Sequence, residues 1–200
     1  MLTISYEVKD SLYLNITNRC PCSCSFCIRN NGDGAYGSDS LWLEREPELS
    51  EIIADLQSRE LSTYKEIVFC GYGEPTERLD VMLEVCRWLK ENGAPPIRLN
   101  TNGLSDLINQ EKTAPRFAGL VDTISVSLNT SSDKKYDELC KPSFGIESYH
   151  ALLRFAADCS REGVNTVLSV VDVIGRDEIE LCSLIAENVG VPLRVRKYDN

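Results

Sequence analysis

The sequence predicts an α/β protein built as a partial, open (β/α)6 barrel preceded by a short N-terminal β-hairpin. Three observations carry this expectation. Strands and helices alternate from Leu12 onward. Several strands are apolar on one face and polar on the other. The chain has 200 residues, short of the roughly 250 that a complete eight-fold barrel needs.

Ile4 to Val8 and Leu12 to Ile16 alternate apolar with polar residues on either side of Lys9-Asp10-Ser11, the pattern of a hairpin. A loop rich in Gly, Ser, Asn and Asp runs from Asn30 to Ser40. A helix follows, with Pro47 near its first turn and Leu49, Ile52, Ile53 and Leu56 along one face. Strand Ile67–Cys70 leads to a helix over Leu79–Glu91 that Asn92-Gly93 ends. Strand Ile97–Thr101 leads to a helix after Gly103, and strand Thr123–Leu128 to two helical segments, the second over Ile146–Arg161. Strand Thr166–Val171 leads to a helix closed by Gly190, whose Asp177-x-x-Glu180 reads as a capping box. Leu193–Arg196 is the last strand. Such alternation means parallel pairing through right-handed crossovers, and the whole of residues 1–200 reads as one domain.

The strand faces separate an open barrel from a doubly wound sheet, whose central strands are apolar throughout. Here Ile124, Val126 and Leu128 oppose Ser125, Ser127 and Asn129, and Ile97, Leu99 and Thr101 oppose Arg98, Asn100 and Asn102. The apolar faces belong against helices. The polar faces then line a concave interior suited to a polar ligand, or, on the plainer reading, cap strand ends near water.

Composition narrows the class of function. Lys and Arg number 21 against 31 Asp and Glu, a formal net charge of −10, which disfavours nucleic-acid polymers and anionic membranes. No apolar run reaches the ~20 residues of a membrane span, and the first residues lack a signal-peptide pattern. A cytoplasmic protein is expected. Nine cysteines then need a reason, because thiols stay reduced in that compartment. Five are scattered and read as small buried hydrophobes. Cys20, Cys22, Cys24 and Cys27 share one loop directly after the Leu12–Ile16 strand, at the strand end where parallel α/β folds keep their sites.

Thiolates are the usual ligands of iron–sulfur clusters. Three of them on a four-iron cube leave one iron open, and an open position distinguishes a catalytic metal site from a structural one. The alternate-residue spacing of Cys22 sets it apart from a common centre. Two other readings stand beside a cluster enzyme: an iron–sulfur protein for electron transfer or sensing, and a zinc-stabilised binding protein using all four thiols.

Cys20-Pro21-Cys22-Ser23-Cys24-Ser25-Phe26-Cys27 resembles the CxxxCxΦC motif of radical S-adenosylmethionine (SAM) enzymes, with Phe26 as the aromatic residue. Gly71-Tyr72-Gly73-Glu74-Pro75 is similar to their Gly-Gly-Glu-Pro motif, although Tyr72 separates the glycines. Thr101-Asn102-Gly103 resembles a third recurrent element, and Ser127-Leu128-Asn129-Thr130 a fourth. The likeness runs from about Leu12 to Lys197 and is strongest to the small TatD-associated radical SAM group. It implies a radical SAM core fold, a [4Fe-4S] cluster on Cys20, Cys24 and Cys27, and SAM as second cofactor. It also implies SAM contacts from Phe26, Gly71, Tyr72, Gly73, Glu74, Asn100, Ser127 and Asn129. The implied reaction is reductive cleavage of SAM to methionine and a 5′-deoxyadenosyl radical that takes hydrogen from a small anionic substrate. An electron donor such as flavodoxin or ferredoxin would be a partner, and a further chain could cover the open side.

Arg194 and Arg196 alternate with Leu193 and Val195 on the last strand, so they are expected on the concave face. Arg194 is expected to meet the SAM carboxylate and Arg196 a substrate anion; the competing reading is charge on an edge strand. His150, the single histidine, is expected to be structural or solvent-facing, and Cys140 to be packed or exposed rather than hydrogen-donating. Glu44, Glu46, Glu48 and Glu51 read as a solvated face. The Asn30–Ser40 loop is either a lid or an ordinary exposed loop.

Overall fold

Seven strands form one sheet in which spatial order equals chain order, in a computed structural model that describes residues 2–197. They are β1 (Ser5–Val8), β2 (Ser11–Leu14), β3 (Glu66–Phe69), β4 (Ile97–Thr101), β5 (Thr123–Ser127), β6 (Asn165–Val171) and β7 (Leu193–Arg196). β1 and β2 are antiparallel, and every later pair is parallel. The β1–β2 turn closes on Val8 opposite Ser11, with Lys9 in the left-handed region at φ 57°.

The helices are α1 (Leu49–Gln57), α2 (Leu79–Glu91), α3 (Ser105–Asn109), α4 (Ala114–Phe117), α5 (Asp133–Cys140), α6 (Glu147–Arg161) and α7 (Arg176–Val189). They cover the apolar sheet face. Leu14, Phe69, Leu99 and Ile124 stand in register across four strands and join Leu83, Phe117, Leu152 and Phe155 in one continuous core. Phe117 and Phe155 meet edge to face at 5.8 Å.

The other face curves into a lumen. Phe69, Leu99 and Val126 are sealed, whereas Cys70, Asn100 and Ser127 beside them keep part of their surface accessible. Arg196 on β7 lies near enough to Cys70, beyond the end of β3, to lower its pKa against the rise that burial causes. A strand four places along the sheet thus faces β3 across the interior, which is the geometry of an open barrel. A smaller apolar cluster of Tyr6, Ala35, Leu41 and Tyr72 lies on the lumen side of β1 and β2. It ties the 30–41 segment to that wall.

Some elements depart from the sequence reading. The helix expected after Gly103 is two short pieces, because Gln110 turns left-handed at φ 55° and Asp106 is drawn to the backbone and hydroxyl of Thr113. Asp177 is not a cap: α7 starts at Arg176 behind Gly175, which has no side chain to offer. Pro47 lies before α1, whose capping box is formed by Glu48 and Glu51. Glu46 is not merely solvated, since it accepts from Thr17 and pairs with Arg19 and Arg78. Among the described residues no helix is long and apolar enough to cross a membrane.

Glu178 on α7 fixes the loop that leaves β5. One of its oxygens accepts from the Thr130 hydroxyl and from the Ser131 backbone and hydroxyl, while Lys135 pairs with the other. Burial alone would raise its pKa, but Lys135 and these donors hold it down to about 2. A carboxylate depressed in the folded state stabilises above its ordinary pKa of 4.5 and loses that contribution as pH falls towards 2. We expect Glu178→Gln to lower unfolding free energy by about 1–3 kcal/mol at neutral pH. The difference from the parent should shrink progressively below pH 4.5 in urea melts.

Candidate cluster and cofactor site

The chemistry-bearing residues gather where β2 to β5 end, and one buried side chain joins three of those ends. Glu74 is 3% exposed. One carboxylate oxygen accepts from the Thr76 backbone (3.1 Å), the Thr76 hydroxyl (2.9 Å) and the Thr101 hydroxyl (2.8 Å); the other accepts from the Asn102 backbone at 2.7 Å. Its own N–H donates to the Arg19 carbonyl at 2.8 Å. Burial pushes its pKa up and these donors oppose the rise. Both oxygens are engaged by protein, so Glu74 sits as a positioning residue for the Cys20 and Asn102 loops.

The glycines serve the same closeness. A Cβ on Gly73 would lie 2.3 Å from the Thr17 carbonyl oxygen and 2.6 Å from that of Arg19. A Cβ on Gly71 would lie 2.1 Å from Asn15 Oδ1. Each glycine thus lets the β3 loop lie close against the β2 loop. Asn15 in turn donates to Thr3 and Leu41 carbonyls and accepts from the Tyr72 backbone. The Tyr72 side chain donates to the Gly32 carbonyl at 2.7 Å and packs edge-on against Trp42.

The cysteine loop is pinned from both sides. On one side Arg19 pairs with Glu46 and Glu77, while Arg78 donates to the Ile16 and Pro47 carbonyls. On the other, the Ser23 and Ser25 backbones donate to the Cys140 and Leu139 carbonyls, Ser143 donates to Pro21, and Cys22 bridges Pro142. Cys20, Cys24 and Cys27 are free and partly exposed; Cys22 and Cys140 are free and buried. Cys140 and Cys22 act as thiol donors and are pushed up. Cys24, which receives both of those hydrogen bonds, is held down to about 4, and the Cys22 bond also lowers Cys20. Burial raises Cys27. Asn102 Nδ2 sits 3.9 Å from the sulfurs of Cys20 and Cys22.

The other expected residues are distributed as follows. Phe26 is half-buried against the main core. Asn100 hydrogen-bonds the Cys70 thiol, and Ser127 ends β5 beside Ser169. Asn129 is buried in a left-handed conformation at φ 63°; its Nδ2 meets the Cys140 sulfur at 3.4 Å, and its Oδ1 has no partner among the described residues. Arg194 and Arg196 register with Ser169 and Val171 on the lumen side of β6. Arg194 is exposed, whereas Arg196 keeps a buried Nε. His150 is exposed, 3.8 Å from Asp133. Surface cavities of about 330 Å³ beside Asp106 and Arg154, and about 340 Å³ beside Thr3 and Trp42, have none of the cysteines in their lining.

The sequence reading missed Asn15, Asn102 and the 139–143 segment as parts of the site. The Thr101-Asn102-Gly103 element was the available signal for one of them. The donor set suits a thiolate-held iron–sulfur cluster: three free, partly exposed cysteines sit on a braced loop, and a fourth is buried. Among the described residues no three His, Cys, Asp or Glu side chains gather tightly enough for a single metal ion.

An α/β open barrel with a braced three-thiol loop at its strand ends is the architecture of a radical-generating cluster enzyme. Residues 14–185 match the radical SAM superfamily, and the chain belongs to it. That family uses a [4Fe-4S] cluster and SAM. Curated relatives include GTP 3′,8-cyclases of Limosilactobacillus fermentum and Aquifex aeolicus. Both are 27% identical, over 90% and 94% of this chain but 51% and 56% of their own length. The chain therefore spans about half the length of the curated relatives it matches. A radical SAM methyltransferase from Sphaerobacter thermophilus superposes with a TM-score of 0.66 at 18% identity, over 96% of this chain and 68% of that one. Streptococcus suis SuiB bound to S-adenosylmethionine gives 0.67 at 17% identity, over 96% and 41%.

Because a Cβ on Gly73 would meet the Thr17 and Arg19 carbonyls that lead into the cysteine loop, Gly73→Ala should displace that loop itself. We expect a loss of about 1–3 kcal/mol in denaturant melts, with iron content after anaerobic reconstitution falling in parallel.

Proposed function

We propose that this chain binds a [4Fe-4S] cluster through Cys20, Cys24 and Cys27, and that it acts on a small anionic substrate. The observation that carries the reading is the segregation of the four loop thiols: three partly exposed at the mouth, and Cys22 buried among Asn102 and the 139–143 segment. When bound, the cofactors supply the reductive cleavage of SAM to methionine and a 5′-deoxyadenosyl radical that takes hydrogen from substrate.

The remaining work falls to the chain. Glu74 and Gly73 hold the cysteine loop against the ends of β3 and β4. Asn129 Oδ1, buried and unpartnered beside Cys140, is an acceptor available to a bound ligand. Phe26 offers a half-buried ring beside the cysteines, and the β3 loop offers backbone to SAM. The Tyr72 and Trp42 contacts hold the 30–41 segment as a wall that keeps water from one side of the lumen. Arg194, exposed on the lumen edge, is our assignment for the SAM carboxylate. The accessible polar lumen favours an enzyme over an electron carrier, which needs no such space.

The reductant would be an external one-electron donor such as flavodoxin or ferredoxin, acting in the cytoplasm. GTP cyclisation, the activity in the names of the curated relatives, is not carried over, because this chain spans only about half of them. The likeness to the TatD-associated group remains a reading of motifs.

The test is a series of single alanine variants, reconstituted anaerobically and assayed for iron and for 5′-deoxyadenosine after reduction. Cys20→Ala, Cys24→Ala and Cys27→Ala should lose iron and SAM cleavage, and Cys22→Ala should keep iron. Iron loss from Cys22→Ala equal to that from Cys20→Ala would overturn the ligand set.

A further inference from the structure

The proposed reaction leaves two guanidinium groups on the lumen face whose Nε–H groups are buried and have no partner among the described residues. Arg98 on β4 is 9% exposed. Its Nη2 donates to Glu66 at 2.6 Å and to the Tyr13 hydroxyl at 3.4 Å, while its Nε–H is buried and has no partner among the described residues. Arg196 reaches in from β7, on the far wall, and its Nε–H is buried and unpartnered in the same sense. Two such orphans in one interior are unusual, because a buried donor without an acceptor is costly and a buried cation more so.

The charge around them does not balance. Glu66 is the one carboxylate on the lumen face of the described strands, and it is already shared by Arg98 and the Ser11 hydroxyl. β2, β5 and β6 contribute neutral groups there, Tyr13, Ser125, Ser127 and Ser169 among them. The second carboxylate nearby, Glu74, has both oxygens occupied by protein donors. Near both arginines lie Asn100 and Cys70, a half-buried residue whose thiol Asn100 hydrogen-bonds. The space they border is therefore cationic, polar and open towards the mouth.

We propose that this part of the lumen is an anion subsite, in which Arg196, backed by Arg98, holds a carboxylate or phosphate group of the substrate. A guanidinium is suited to either through paired N–H donors. The Arg98–Glu66 pair forms the floor, leaving Arg196 as the side chain free to take the ligand. The identification of that ligand as a substrate rests on the function proposed above. Anion binding itself needs neither SAM nor turnover.

Cys70 provides a reporter inside the subsite. The cluster-loaded protein is treated with anionic iodoacetate or neutral iodoacetamide, and alkylation is read at Cys70 by peptide mass mapping. Each rate ratio is normalised to that of N-acetylcysteine. The parent should prefer iodoacetate severalfold, Arg196→Met should lose the preference, and Arg196→Lys should retain it. At constant ionic strength in chloride, inorganic phosphate or acetate should slow the labelling. Protection at lower phosphate concentration assigns the site to a phosphate group, and protection at lower acetate concentration to a carboxylate. A parent ratio equal to that of Arg196→Met, or labelling indifferent to both anions, would overturn the subsite. SAM cleavage measured on the same preparations reports separately on the cofactor reading.

Discussion

The carboxylate of Glu74 is the point at which the site is assembled. It takes four hydrogen bonds from Thr76, Thr101 and Asn102 while its own N–H reaches Arg19. Parallel strands offer no hairpins to tie their ends together, so loops at the carboxyl edge must be joined by side chains. A short, neutral residue could not span these loops, and an exposed acid would be satisfied by water instead. Burying the acid makes each donor obligatory, because a lost partner leaves charge or an unpaired N–H in a dry interior. The glycines on either side of Tyr72 are the steric half of this arrangement. They remove the volume that would keep the β3 loop from lying on the β2 loop.

The fold was largely legible because its two faces have opposite chemistry. Alternation located β4, α2 and β7 to the residue, since Ile97–Thr101, Leu79–Glu91 and Leu193–Arg196 carry unbroken patterns with clear stops. The cysteine loop was legible through spacing at a strand end. What stayed hidden depends on tertiary contact. The role of Glu74 required knowing that Thr101 and Asn102 lie beside it, and the fixing of the cysteine loop by 139–143 required a bridge with no local signature. Glu46 read as surface because its partners, Thr17 and Arg19 after β2 and Arg78 before α2, come from two other segments. Gly175 hid the true start of α7 because Asp177 and Glu180 satisfied a cap pattern while the chain had other work for Glu178.

An open barrel accepts an exposed edge in exchange for an accessible interior. Among the described residues β7 has a neighbouring strand on one side alone, and Val195 on it is 48% exposed. The arginines that flank Val195 work on both counts: Arg194 charges the edge, which discourages pairing with another strand, while Arg196 points its buried Nε inwards.

Sheet order identical to chain order also has a consequence for how the protein is made. Each parallel strand docks on the strand synthesised just before it, so the helix-covered core can grow outward from the hairpin as the chain emerges, without long loop closures. The cysteine loop is the exception. Ser25 and Leu139 are 114 residues apart in the chain, and until α5 has left the ribosome the loop has only its Arg19 and Arg78 side of the clamp. A nascent chain therefore carries its thiols early and organises them late. Its exposure to stray oxidants and metals is greatest during synthesis and falls when α5, after the fourth parallel strand, docks on the loop.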